Sequence, residues 1–261
     1  MPLYKNEIGA IRPKLVEGVG ALFTERTGGV SSGPWGGPEG ILGLNVGSHV
    51  GDNLSCVRMN REIVSQVAPS MPRWMTQVHG TRVVDAESVT SDALEADAQT
   101  SLTPGVVCVV QTADCLPVLI AEKNARGVAA IHAGWKGLSI GVIEAGVKRL
   151  RERLGDETAS CVAWLGPRIG FDDFECGEDV VSAYRARYPD VVGGIRTASD
   201  GKYFLSLATY ARYALQSVGI DEIEDCGLST VADPNRFFSF RRDGAKSGRH
   251  AALVWIEEEK A

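Results

Sequence analysis

The chain has no stretch approaching the ~20 consecutive apolar residues that a bilayer-spanning helix needs. It lacks a basic tract: 27 lysines and arginines face 33 aspartates and glutamates, for a net charge of −6. Sequence-independent nucleic-acid binding rests on a cationic surface, so composition gives no support to a nucleic-acid partner, and a local basic pocket stays open. There is no Cys-x-x-Cys pair, and the six cysteines, at 56, 108, 115, 161, 176 and 226, are widely spread. That is a pattern of free thiols, several of them buried, rather than a disulfide framework. The opening MPLYKNEIGAIRPKL carries a glutamate and no apolar segment, so no signal peptide is expected and the expected location is cytoplasmic. Neither a repeat with a period of roughly 20–50 residues nor a low-complexity linker divides the chain. Histidine is also scarce, with four residues: His49, His79, His132 and His250.

What is present suits a soluble globule. A hydrophobic fraction of 44% and a charged fraction of 23% over 261 residues fit one large domain spanning 1–261. The glycine- and proline-rich stretch 27–47 reads as a long surface loop. Residues 105–112 form a β-branched apolar run, expected as a strand buried on both faces, with Cys108 in the core. Ala113, Asp114 and Cys115 break it. Residues 116–121 and 127–131 read as further strands around a polar turn at 122–126. Residues 138–154 read as one helix, with Ile140, Ile143, Val147, Leu150 and Leu154 on one face and Gly155 ending it. A strand at Cys161–Leu165 follows, then helices near 178–188 and 207–218. Segments 237–241 and 249–256 read as a terminal hairpin around DGAKSG. Strands and helices mix without strict alternation, so the expected class is α+β, with packed mixed β-sheets flanked by helices.

Two histidines have conspicuous neighbours. His79 lies in Gln-Val-His-Gly, and His132 lies in His-Ala-Gly-Trp at the end of a predicted strand; Thr-Ala-Asp-Cys-Leu-Pro lies between them. A hairpin centred near Asn124 sets Cys115 nearly opposite His132 or Ala133, and directly opposed residues have Cβ atoms ~4.5–5.5 Å apart. Two imidazoles and a thiolate are preferred zinc ligands, and three protein ligands leave a fourth position where a water's pKa falls to roughly 7. Asp114 or Gln77 is placed to orient a ligand. Two other readings of the same residues stand beside this one. In the first, the histidines are structural and the cysteine is core; in the second, a metal-free Cys–His pair has Cys115 as nucleophile. His49 and His250 read as ordinary polar residues.

These motifs carry a resemblance. The sequence resembles the YfiH/YlmD family, also called the multicopper polyphenol oxidase or laccase-domain family. Matching segments run through nearly the whole chain: FTERTGGVS from Phe23, LNVG from Leu44, VGD from Val50, Asn60-Arg61, QVHG from Gln77, EADA from Glu95, TADCLP from Thr112, HAGWKG from His132, LGPRIG from Leu165, FSFRRDG from Phe238 and Gly248-Arg249. The TADCLP and HAGW motifs at this spacing are highly specific together. Many members carry Cys-Thr just before the Phe-Phe-Ser motif, where this chain has Ser229-Thr230.

The resemblance implies packed mixed sheets flanked by helices, with His79, Cys115 and His132 as zinc ligands and catalytic residues. It implies phosphorolysis of adenosine, inosine and methylthioadenosine, together with adenosine deamination. The partners would then be a purine nucleoside and phosphate, with no nucleic acid or membrane, and the protein a monomer or homodimer. Guanidinium groups bind phosphate bidentately, which makes Arg26 and Arg61 the first candidates and Arg241 and Arg242 the second. Asn45 is a candidate for a ribose hydroxyl, with turn stabilisation as the other reading.

Three rival functions use the same residues. Copper, which outcompetes zinc in the affinity order, would make the trio a polyphenol oxidase site in vitro. A full multicopper cluster needs further imidazoles, and only His49 and His250 remain, with no His-x-His pair. The other two are hydrolytic editing of a cell-wall precursor, a muramic acid conjugate, and a non-catalytic zinc-binding protein whose site would be closed by a fourth protein ligand.

Overall fold

The structure, a computed structural model, describes residues 8–258. The first seven residues, where no signal-peptide pattern is expected, lie outside the described residues.

Apolar side chains on both faces of the central strands decide the layering. Val118, Ile120, Ala129 and Ile131 belong to one buried cluster, and Leu119, Ala121, Val128 and Ala130 to another. Strands of this kind must be covered on both sides. The strands are β1 (Ala10–Ile11), β2 (Val19–Thr24), β3 (Thr27–Ser31), β4 (Val83–Asp85), β5 (Ala98–Ser101), β6 (Cys108–Thr112), β7 (Leu116–Glu122) and β8 (Val128–Ala133). They continue with β9 (Cys161–Leu165), β10 (Glu175–Cys176), β11 (Ile195–Thr197), β12 (Tyr203–Leu205), β13 (Ile223–Asp225) and β14 (His250–Ile256). The helices are α1 (Leu54–Ser65), α2 (Trp135–Ser139), α3 (Val142–Leu154), α4 (Glu178–Arg187), α5 (Leu207–Ser217) and α6 (Phe240–Asp243).

A six-stranded mixed sheet in the order β13-β9-β7-β8-β5-β4 packs face to face on a four-stranded sheet in the order β1-β2-β14-β6. Helices α3, α4 and α5 cover the outer face of the larger sheet. Helix α1 contributes Ile63 and Val64 to the cluster beneath the smaller one. The molecule is therefore an α+β sandwich of mixed sheets with helices outside, as the sequence leads one to expect. No helix among the described residues is long and apolar enough to cross a membrane. All six cysteines are free.

Four local expectations need correction. The helix read as 138–154 is two helices, because Gly141 adopts φ 93° and separates α2 from α3. Ile140 thereby leaves the buried stripe and is exposed, while Ile143, Val147 and Leu150 remain buried. The stretch 27–47 holds β3 and a 3₁₀ turn at Gly33–Trp35, and Leu44, Asn45 and Val46 are fully buried. The terminal hairpin does not form. β14 already pairs with β2 on one edge and β6 on the other, so it has no edge for residues 237–241. Those residues satisfy their polar groups through side chains and start α6.

The fourth correction concerns register. The β7–β8 pairs are Leu116 with Ala133 and Pro117 with His132, so the hairpin centre lies between Asn124 and Ala125, near Asn124 as expected, but the residue in line with Cys115 is Gly134 and not His132 or Ala133. Ala125 turns the chain with φ 57°, and the Glu122 carboxylate accepts from the amides of Asn124 and Arg126. Cys115 lies just outside the ladder, in line with Gly134 and diagonal to His132.

A left-handed residue with a side chain costs about 1–2 kcal/mol relative to glycine. Gly141→Ala should lower the unfolding free energy by that amount, read as a lower urea midpoint at an unchanged slope. An unchanged midpoint would mean that the α2–α3 break does not need this backbone conformation.

Candidate functional site

Three distant segments meet where the two sheets open. His132 is the last residue but one of β8, Cys115 precedes β7, and His79 sits on the segment leading to β4, with φ 60°. Their ligand-type atoms all lie within 4.8 Å of one another. Cys115 Sγ is 3.7 Å from His79 Nε2, and the two imidazoles stand edge to face with centroids 4.8 Å apart. Gly134 makes room for them. A Cβ there would come within 2.9 Å of Cys115 Sγ and 2.8 Å of His79 Cδ2, so any side chain would fill the space among the donors.

Asp97 orients two of the three. Its fully buried carboxylate accepts from His132 Nδ1 at 2.8 Å and from the amides of His79 at 2.9 Å, Gly80 at 2.7 Å and Val78 at 3.2 Å. Burial would raise its pKa, but His132 and these amides outweigh that and hold it below the usual carboxylate range. With Nδ1 committed to Asp97, His132 turns Nε2 towards Cys115, as in the carboxylate–histidine–metal arrangement. Burial likewise opposes ionisation of both Cys115 and His132. Each overcomes it through the other: the thiol falls to about 6, and the imidazole, bonded also to Asp97, rises to about 9. Both shifts run towards a thiolate–imidazolium pair, and a cation held by the trio would take the proton's place.

The trio borders a cavity of about 620 Å³. Arg61, Arg241, Arg249 and His49 supply its basic lining, and Met75, Trp135, Ile169, Phe174, Leu207 and Phe240 its apolar lining. Of the residues singled out in the sequence, Arg61, Gln77, Asp114 and Arg241 reach this cavity, and Arg26, Asn45 and Arg242 do not. Arg26 donates to the carbonyls of Gly36 and Pro234 and stacks on Phe238. Asn45 is fully buried, and its Oδ1 accepts from the amides of Gly47 and Arg249 at 2.9 Å each. That is turn stabilisation rather than contact with a ligand. Arg242 donates to the carbonyls of Thr230, Val231 and Phe237.

Gln77 and Asp114 border the cavity with their polar atoms already in use. The Gln77 amide is bonded both ways to the backbone of Gln111. The Asp114 carboxylate accepts from Thr230 Oγ1, Ser239 Oγ and the Arg241 amide. Thr230, in the Ser229-Thr230 pair, is thus an anchor for the strand break before Cys115. His250 is fully buried among Phe23, Phe237 and Phe238 and accepts from the Phe238 amide.

Sequence reasoning missed Asp97 as the orienting group, although it lies in the quoted Glu-Ala-Asp-Ala motif. A lone acid between alanines at the start of a strand was the available signal. His49, read as an ordinary polar residue, lines the cavity, as does Arg249; nothing local in the sequence distinguishes either.

The multi-copper polyphenol oxidoreductase laccase family model matches residues 20–257. The chain belongs to this family. It is 38% identical over 241 residues to a protein of Pseudomonas aeruginosa named purine nucleoside phosphorylase, covering 92% of this chain and 94% of that one. It is also 38% identical over 242 residues to Escherichia coli purine nucleoside phosphorylase YfiH, covering 92% and 95% of the two chains. Among solved structures it is similar to a Neisseria meningitidis protein, with TM-score 0.86, 37% identity and coverage of 96% of this chain and 100% of that one. It is likewise similar to YlmD from Geobacillus stearothermophilus, with TM-score 0.86, 28% identity and coverage of 98% and 99%.

A thiol lowered to about 6 is mostly thiolate at pH 7. In metal-free protein, iodoacetamide should therefore label Cys115 well before the buried Cys108, Cys161 and Cys176, whose thiols burial pushes up. The Cys115 rate should stay level above pH 7 and fall as pH drops through about 6. A rate still climbing towards pH 9 would contradict the thiolate–imidazolium pair.

Proposed function

We propose that the chain is a zinc-dependent enzyme of purine nucleosides, catalysing phosphorolysis of adenosine, inosine and methylthioadenosine and deamination of adenosine. The observation that carries this reading is the convergence of His79, Cys115 and His132 on the border of a cavity lined by both arginines and aromatic side chains. The relatives named purine nucleoside phosphorylase support it.

The donor set suits zinc, since two imidazoles and a thiolate are its preferred ligands. The group comprises three residues among those described, which fits an open catalytic site better than a four-ligand structural one. Zinc held there would supply a Lewis acid beside the substrate. The chain's own residues do the remaining work. Asp97 fixes the ring orientation of His132, and Cys115 contributes a negative charge to the site. Trp135, Phe240, Met75 and Phe174 offer apolar surface to a purine ring and exclude water around it. The cavity volume lies within the ~300–1,000 Å³ range of small-molecule sites. Arg61 borders the cavity and Arg26 does not, so Arg61 alone of the first pair is retained for phosphate. The reading includes a cytoplasmic monomer or homodimer that needs neither nucleic acid nor membrane.

Copper in the same trio is the variant suggested by the family's description. A multicopper cluster would need imidazoles that the fold does not supply. Of the other two histidines, His49 lines the cavity and His250 is enclosed by phenylalanines.

Zinc-loaded protein should release hypoxanthine and ribose 1-phosphate from inosine only when phosphate is present. Asp97→Asn should cost ~10–100-fold in activity or metal affinity, the usual scale for a group supporting a metal-ligating histidine, and Cys115→Ala more. Failure of the metal-loaded protein to turn over any nucleoside would overturn the proposal. Turnover of a muramic acid conjugate in its place would replace it with the editing reaction.

A further inference from the structure

The residues from Val46 to His49 run between two arginines. Arg61 Nε donates to the Val46 carbonyl at 3.0 Å, and its Nη2 lies 3.5 Å from Ser48 Oγ. On the other side the Arg249 side chain crosses Gly47 so closely that a Cβ there would meet Arg249 Cγ at 2.6 Å. Asn45 Oδ1 binds the amides of Gly47 and Arg249 together. Ser48, His49, Arg61 and Arg249 all line the cavity that contains the trio.

The two arginines differ in their partners, although the charges of Cys115 and Asp114 both act on Arg249. Asp92 pairs with Arg61 at 3.2 Å. Arg249 forms no salt bridge among the described residues; only its Nη1 is engaged, by the Ser247 and Gly248 carbonyls. The nearby Asp114 carboxylate is occupied by its three donors. A half-buried guanidinium with spare donors and no carboxylate is an arrangement suited to an anion from outside. Burial, then Arg249 and Arg61, depress the His49 imidazolium, so both cations act on the space that this ring borders.

We propose that Arg249, Arg61 and the Ser48–His49 turn form an oxyanion subsite that takes inorganic phosphate, with Arg249 as its principal ligand. This rests on the phosphorolysis reading. In that reaction a phosphate oxygen bonds to the anomeric carbon of the ribose. The glycosidic bond breaks with its electron pair leaving on the purine, and the proton of hydrogen phosphate ends on the departing base. The subsite sits in the same cavity as the trio, so phosphate and nucleoside can meet there.

The test separates two Michaelis constants. Arg249→Met should raise the KM for phosphate about tenfold or more, the scale of losing a charge-assisted bidentate contact, while the KM for inosine changes little. Arg249→Lys, which keeps the charge but not the fork, should fall between. His49→Ala, on an exposed turn away from the strand ladders, should raise the phosphate KM in the same direction and guards against misfolding of the Arg249 variants. Titration with inorganic phosphate alone, followed by calorimetry, should give saturable binding to the wild type and a loss of at least tenfold in Arg249→Met. An unchanged phosphate KM and unchanged phosphate binding in the folded variants would overturn the subsite. Because the titration needs no turnover, an enzyme inactive on nucleosides that still binds phosphate through Arg249 would sink the phosphorolysis reading and leave the subsite standing.

Discussion

The carboxylate of Asp97 is the interaction on which the candidate site depends. It is fully buried, and an ionised carboxylate without partners in such a place would be prohibitively costly. Four donors offset that cost: three consecutive amides, from Val78 to Gly80, and the Nδ1 of His132. The backbone carbonyl of the same residue accepts from the His132 amide at 2.8 Å. One residue at the start of β5 thus fixes the His79 turn and both the main chain and the ring of His132. Two of the three metal-type donors derive their relative position from it.

Cys115 is held by a second clamp of the same kind. Asp114 adopts φ 84° and His79 φ 60°, both left-handed conformations that are unfavourable for residues with side chains. Each is held by a carboxylate with several donors: Asp114 by its own, bound to Thr230, Ser239 and Arg241, and His79 by that of Asp97. The Asp114 clamp also draws in the chain around 239–241, and with it Phe240 and Arg241 at the cavity. This is why the segment expected to form a hairpin with β14 instead starts a short helix beside the site. The two clamps make the arrangement of donors a property of the folded framework, as preorganised metal and catalytic sites require.

The sandwich explains where the cavity lies. The layer between the sheets is filled by Phe23, Val110, Leu119, Trp164 and Ala252. It opens at the end where β6 stops, β7 begins, β8 ends and β14 starts. Cys115 and His132 lie beside or within the last residues of strands at this end. The apolar part of the cavity lining suits a planar base, and the arginines bordering the Val46–His49 stretch suit an anion. The supply of imidazoles, two in the trio and one more at the cavity, favours a mononuclear site over a multicopper cluster.

Much of this was legible in the sequence because it is encoded locally. Apolar runs marked β6, β7, β8 and β9 and the helices α4 and α5, since burial on one or two faces imposes a short-range pattern. The strand-end positions of Cys115 and His132 followed from the same pattern, His79 stood out by its local setting in Gln-Val-His-Gly, and motif resemblance joined the three as one ligand set. Tertiary structure decided what depends on groups far apart in the chain. It set the centre of the β7–β8 turn between two residues, and so put Gly134 rather than His132 in line with Cys115. It denied residues 237–241 a strand partner, because both edges of β14 were taken. It moved Arg26, Asn45 and Arg242 away from the cavity, brought His49 and Arg249 to it, and set Asp97 behind His79 and His132. The direction in which a polar side chain finds its partners is a long-range property, because a guanidinium or carboxylate is satisfied by whichever backbone the fold brings near. The sequence shows the group, and only the folded chain shows what it faces.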